Sequence, residues 1–84
     1  MKYCLITFRS VTPAQRGESV LRSAGIDCTL SRTPRAMEEQ GCGYSLRLRP
    51  ADGARGAAVL RRQQIPFRKV YLWGEGGYME ELTV

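Results

Sequence analysis

Two stretches of this chain alternate apolar and polar side chains residue by residue: Ile26-Asp27-Cys28-Thr29-Leu30-Ser31 and Tyr44-Ser45-Leu46-Arg47-Leu48-Arg49. A period of two belongs to half-buried strands, not to helices. It turns Ile26, Cys28 and Leu30 to one side of the first strand, and Tyr44, Leu46 and Leu48 to one side of the second. Pro50 stops the latter. Tyr3-Cys4-Leu5-Ile6-Thr7-Phe8 and Phe67 to Trp73 are β-rich and predict two more strands. Between them the pattern changes. Thr12-Pro13-Ala14-Gln15 reads as a helix start, with Thr12 as N-cap, proline in the first turn and glutamine closing a capping box. That helix runs to about Ala24, with Ala14, Gly17, Leu21 and Ala24 on one face and Gly25 beyond its end. A second helix is expected from about Ala51 to Gln64. Gly53 and Gly56 lower its propensity, Ala54, Ala57, Ala58 and Leu60 offer a small-residue face, and Ile65-Pro66 ends it.

The order β-α-β-β-α-β predicts an α+β, ferredoxin-like fold: an antiparallel sheet with two helices on one face. With 84 residues, 43% of them hydrophobic, the chain supplies one small core. The expected division is a single domain over residues 1–73 and a Gly-rich, acidic C-terminal tail over 74–84, free or docked. In the usual 4-1-3-2 strand order, the connection between the second and third strands lies where the first helix starts. The long loop of residues 32–43 is therefore expected beside Thr12-Pro13.

That loop carries Cys42 between Gly41 and Gly43, so no neighbouring side chain shields the sulfur. A helix start presents free N–H groups and partial positive charge, which favour a thiolate. Arg35, with Arg9 and Arg32, would add to that field. Glu38 and Glu39 would oppose it. The chain has three cysteines and no histidine. Cys–His nucleophilic catalysis within one chain is thereby excluded. An odd cysteine count without a C-x-x-C pair argues against a disulfide scaffold and against a zinc site. The expectation is no enzyme, no cofactor and no metal. Thiol exchange, by contrast, needs only an accessible nucleophilic sulfur. Cys4 and Cys28 lie in strands and read as small core hydrophobes.

A net charge of +5 leaves room for an acidic partner but is scattered along the chain. On the sheet face away from the helices, Ser45, Arg47 and Arg49 would be joined by Lys69, Tyr71 and Trp73. Base stacking on that face is one reading, yet "YSLRLR" is not an RNP1 pattern. The first strand is apolar on both faces, so its outer face wants cover from a second subunit or from Tyr78, Met79 and Leu82 of the tail. A dimerising or regulatory module is accordingly the first alternative and nucleic-acid binding the second. No apolar stretch reaches about 20 residues and the N-terminus has no cleavage-site pattern, so the expected location is the cytoplasm.

"TPR" at Thr33–Arg35, "CG" at Cys42-Gly43, "LR" at Leu46-Arg47 and "AGI" at Ala24–Ile26 together resemble the family described as "Putative Se/S carrier protein-like". The resemblance covers roughly residues 2 to 73. It implies a small carrier domain in which Cys42 bears persulfide or perselenide. Such a domain would receive its cargo from a sulfur- or selenium-donor protein, desulfurase-like in the sulfur case, and hand it to an acceptor protein.

Overall fold

A computed structural model describes residues 3–32, 43–74 and 79–82. Its elements are β1 (Tyr3–Phe8), α1 (Val11–Ser23), β2 (Cys28–Arg32), β3 (Tyr44–Leu48), α2 (Gly53–Arg62), β4 (Val70–Trp73) and β5 (Met79–Leu82), with a 3₁₀ turn at Pro50–Asp52 leading into α2. The fold is α+β and consistent with the ferredoxin-like arrangement. Every strand pairs antiparallel with its neighbours, in the order β2-β3-β1-β4-β5. The first four strands follow the expected 4-1-3-2 pattern. The fifth extends it, because Met79–Leu82 pairs with Trp73–Val70.

Alternation decides which side chains meet. Cys4, Ile6 and Phe8 of the central strand face the helices with Cys28, Leu46, Leu48 and Val70, and α1 supplies Ala14 and Leu21 to the same cluster. Leu5 and Tyr71 form a second, smaller cluster with Tyr3, on the opposite face as the period of two requires. The helix faces differ slightly from expectation. In α2 the buried positions are Gly53, Gly56, Ala57 and Leu60, whereas Ala54 and Ala58 are exposed. The two glycines are the reason. A Cβ at Gly53 would stand 2.7 Å from Cys4 Sγ, and one at Gly56 would stand 2.9 Å from Leu48 Cδ2. The residues that weaken the helix in isolation are those that let it approach the sheet.

The first helix begins earlier than expected. Ser10, in extended conformation, is its N-cap, and no side chain caps it. Thr12 is an exposed residue of the first turn, so the capping box with Gln15 does not form. Ser10 is itself a favoured cap residue, and Pro13 still falls in the first turn, where a missing N–H costs nothing.

Both helices end alike. Gly25 N–H donates to Arg22 O and Ile26 N–H to Leu21 O, and Gln64 N–H to Arg61 O and Ile65 N–H to Leu60 O, at 2.9 to 3.0 Å. Each is a Schellman ending sealed by a buried Leu–Ile pair. Gly25 takes φ +81° and Gln64 takes φ +58°. Only the first is a residue that adopts this region freely.

The last strand of the expected four starts late, at Val70 rather than Phe67. Thr7 explains it. Its N–H donates to Lys69 O, its carbonyl accepts from Arg68 N–H, and its hydroxyl accepts from Lys69 N–H. Two residues thus stand opposite one, as in a β-bulge.

Candidate functional site

Register fixes which groups share the end of the sheet where the candidate loop is anchored. Phe8 and Arg32 both pair with Tyr44. The end of β2, the start of β3 and the turn from β1 into α1 therefore lie level with one another. Gly43 is buried at the foot of β3. Arg32 sits over the Tyr44 ring, 5.8 Å from its centroid. Arg9 and Ser10 are exposed at the start of α1, and with Pro13, Pro66, Phe67 and Arg68 they line a cleft of about 460 Å³. Cys42, Gly41 and Arg35 lie outside the described residues. Of the expected site residues, Gly43 and Thr12 are described. They belong to the same end of the molecule, Thr12 on the first turn of α1 and not at its cap.

Arg68 was not among the expected cations of this end. Nothing local in "PFRKV" signals it. Its place follows from the β4–β1 register and from the bulge opposite Thr7, both long-range facts.

The other two cysteines are built into the packing. Cys4 is fully buried against Gly53, and burial pushes its thiol from 9.0 up to about 11. Cys28 is buried on the first residue of β2, and its Sγ–H donates to Glu18 O at 3.8 Å. Burial raises its pKa as well, against the nearby Arg22 guanidinium, which lowers it. Neither has the exposure that a reactive thiol needs. Among the described residues no cluster of three metal-ligating side chains occurs.

The outer face is less open than its sequence implies. Leu5 is 2% exposed and Tyr71 8%. The Arg47 guanidinium covers the Tyr3 ring at 5.1 Å from its centroid. Ser45, expected to face solvent, is fully buried, and its hydroxyl has no hydrogen-bond partner among the described residues. Aromatic faces that stack bases must be free to receive them; here one is occupied and another is covered.

A family profile described as "Putative Se/S carrier protein-like" matches residues 3–72. The chain belongs to this family. The match runs from the first residue of β1 to the third of β4, so it spans both helices and the β2–β3 connection that contains Cys42. No curated protein and no solved structure matches the chain. Membership in a carrier-like family is compatible with a chain that performs no chemistry alone. No helix among the described residues is long and apolar enough to cross a membrane.

Proposed function

We propose that this chain carries sulfur or selenium as a persulfide or perselenide on Cys42. The observation that carries the reading is the family match taken together with the fate of the other thiols. Cys4 and Cys28 are committed to the core with raised pKa values, which leaves one of the three cysteines for exchange. The topology supports it: the strand ends that flank the loop stand beside the start of α1. A thiolate near free helix N–H groups and the Arg9 charge gains stability there. Arg35 adds charge in this reading, Thr12 stands on the same first helical turn, and Gly41 and Gly43 keep the sulfur accessible.

The transfer is an exchange with no net oxidation. Cys42–S⁻ attacks the terminal sulfur of a donor persulfide R–S–SH. The donor's S–S bond breaks, R–S⁻ leaves, and Cys42–S–SH results. Selenium substitutes for the terminal sulfur in the same scheme. Delivery is the reverse step on an acceptor's thiolate. No histidine is needed, and none is present. The donor would be desulfurase-like for sulfur, and the setting a reducing cytosol.

Intact-protein mass spectrometry tests this. Reduced chain is incubated with a cysteine desulfurase and cysteine, then separately with a selenium donor, beside Cys42→Ala. A gain of one sulfur or selenium atom in the wild type and none in the variant is the expected result. Equal gain in both, or none in either with Cys42 reacting no faster than free cysteine, would sink it. The runner-up, a dimerising module, loses the apolar outer face it would need, because Leu5 and Tyr71 are already buried within the chain. Sedimentation equilibrium of the wild type tests it, and a stable dimer would favour the module.

A further inference from the structure

A second cleft belongs to the other end of the sheet, where β1 and β2 begin and β3 ends. It has a volume of about 570 Å³, and its walls include Tyr3, Arg22, Asp27, Cys28, Arg47 and Arg49. Four strand steps separate Leu48 in this cleft from Tyr44 at the loop end, ~13 Å at the usual rise of a strand. The carrier reading does not use it.

Three arginines line one concavity from separate places in the chain: the last turn of α1, the body of β3 and the residue after β3. Each is held by a partner that occupies only part of its donor fork. Arg22 Nη2 donates to Cys28 O at 3.1 Å and to Glu18 Oε2 at 3.4 Å. Arg49 Nε donates to Asp52 Oδ2 at 3.2 Å. Arg47 lies on the Tyr3 ring, and its guanidinium makes no hydrogen bond to any described residue. A guanidinium has five N–H donors in a rigid plane, so each arginine keeps donors for a further acceptor. These contacts bias the orientation of the arginines, which lowers part of the entropy cost of binding. The charged residues of the walls are three arginines and Asp27. Glu18 and Asp52 pair with Arg22 and Arg49 and temper the field, and among the described residues Arg47 has no carboxylate partner.

We propose that this cleft is a binding site for a phosphate-type oxyanion, free or esterified, with Arg47 as its principal donor and Arg22 and Arg49 as flanking donors. A tetrahedral dianion offers oxygens in several directions, and arginines from separate elements meet several at once. A single carboxylate would engage one fork. Asp27 repels the ligand and limits affinity.

The test uses the whole chain, with inorganic phosphate and glycerol 3-phosphate as probes. Backbone amide and arginine Nε–H NMR shifts are followed at constant ionic strength, chloride replacing the probe, so that general screening cancels. Saturable shifts confined to residues 22, 27–29 and 47–49 are expected. Arg47→Lys keeps the stem and charge but loses the fork, and should weaken binding about tenfold. Asp27→Asn should tighten it several-fold, and Arg62→Ala, on the exposed end of α2, should leave it within about twofold. Equal affinity for the two probes assigns a site for phosphate alone, and tighter binding of the ester assigns an esterified ligand. Shifts that fail to saturate, that spread over all arginines, or that survive Arg47→Lys unchanged would overturn the proposal.

Discussion

Gly53 opens α2 directly over the Cys4 thiol, and the two residues should be energetically coupled. A methyl group at position 53 would lie 2.7 Å from Cys4 Sγ, about an ångström inside ordinary contact. Both residues are buried, so neither can swing into solvent. Gly53→Ala gains at most about 1 kcal/mol of helix propensity, less at the first residue of a helix. Overpacking costs roughly 1 to 3 kcal/mol. The net expectation is a destabilisation of about 1 to 2 kcal/mol. Cys4→Ala alone leaves a small void and should cost a similar amount, about 1 to 2 kcal/mol. Together they should not add. Without the sulfur, the nearest atom to the new methyl is Cys4 Cβ at 3.4 Å, an ordinary contact, and the methyl fills part of the void. The double variant should therefore be no less stable than Cys4→Ala, a coupling of about 1 to 2 kcal/mol in its favour. Urea unfolding followed by far-UV circular dichroism measures all four proteins, with equal m-values required for the comparison. Additive losses, within about 0.5 kcal/mol, would refute the close approach of helix and strand.

The paired helix endings give a second expectation. Gln64→Gly should stabilise the fold by about 1 kcal/mol, and Gly25→Ala should destabilise it by about as much, because nothing stands within 4 Å of a Cβ at Gly25 and the cost is conformational alone. Alkaline pH gives a third. The Cys4 thiol ionises at 9.0 when exposed and at about 11 when folded, so the unfolded state loses its proton first; stability is intact below pH 9 and falls between pH 9 and 11, and Cys4→Ala should flatten that part of the pH profile. Ser45→Ala removes a buried hydroxyl that has no partner among the described residues; thermal unfolding should show it neutral or slightly stabilised, whereas a loss above about 1 kcal/mol would mean that the hydroxyl is bonded after all.

The strands were legible because alternation is local. Cys28 to Leu30 and Tyr44 to Leu48 declare their inward faces by composition, and the paired register follows from burying those faces together, although β2 starts at Cys28 and not at Ile26, whose N–H closes the end of α1. What escaped was long-range. The start of β4 depends on Thr7 engaging two residues at once, and no pattern within "IPFRKV" shows that. The buried face of α2 differs from the expected one because alanine looks more core-like than glycine, while the sheet lies too close for any Cβ at positions 53 and 56. The repeated ending was visible but unread: "LRSAGI" and "LRRQQI" place Leu and Ile at the same spacing, and only the glycine in the first advertises a C-terminal turn. The tail carried too little pattern to choose between docking and freedom; its fourth-to-fifth strand pairing is decided by the open edge of β4.

A carrier that accepts one atom must not accept it at random, and the thiol chemistry of this core bears on that requirement. At pH 8, a thiol with pKa about 11 is ionised in about one molecule in a thousand, while one near its ordinary value is ionised in about one in ten. Ionisation alone thus separates Cys4 from an unperturbed cysteine by about a hundredfold. Full burial adds a steric barrier that requires unfolding to cross. Cys28 is less deeply buried, at 6% exposure, and is guarded by its raised pKa and by its sulfur's engagement with Glu18 O. Alkylation with a small thiol reagent should therefore label one cysteine quickly in the native chain and all three in urea. Rapid labelling of Cys4 or Cys28 under native conditions would remove the elimination on which the assignment of Cys42 rests.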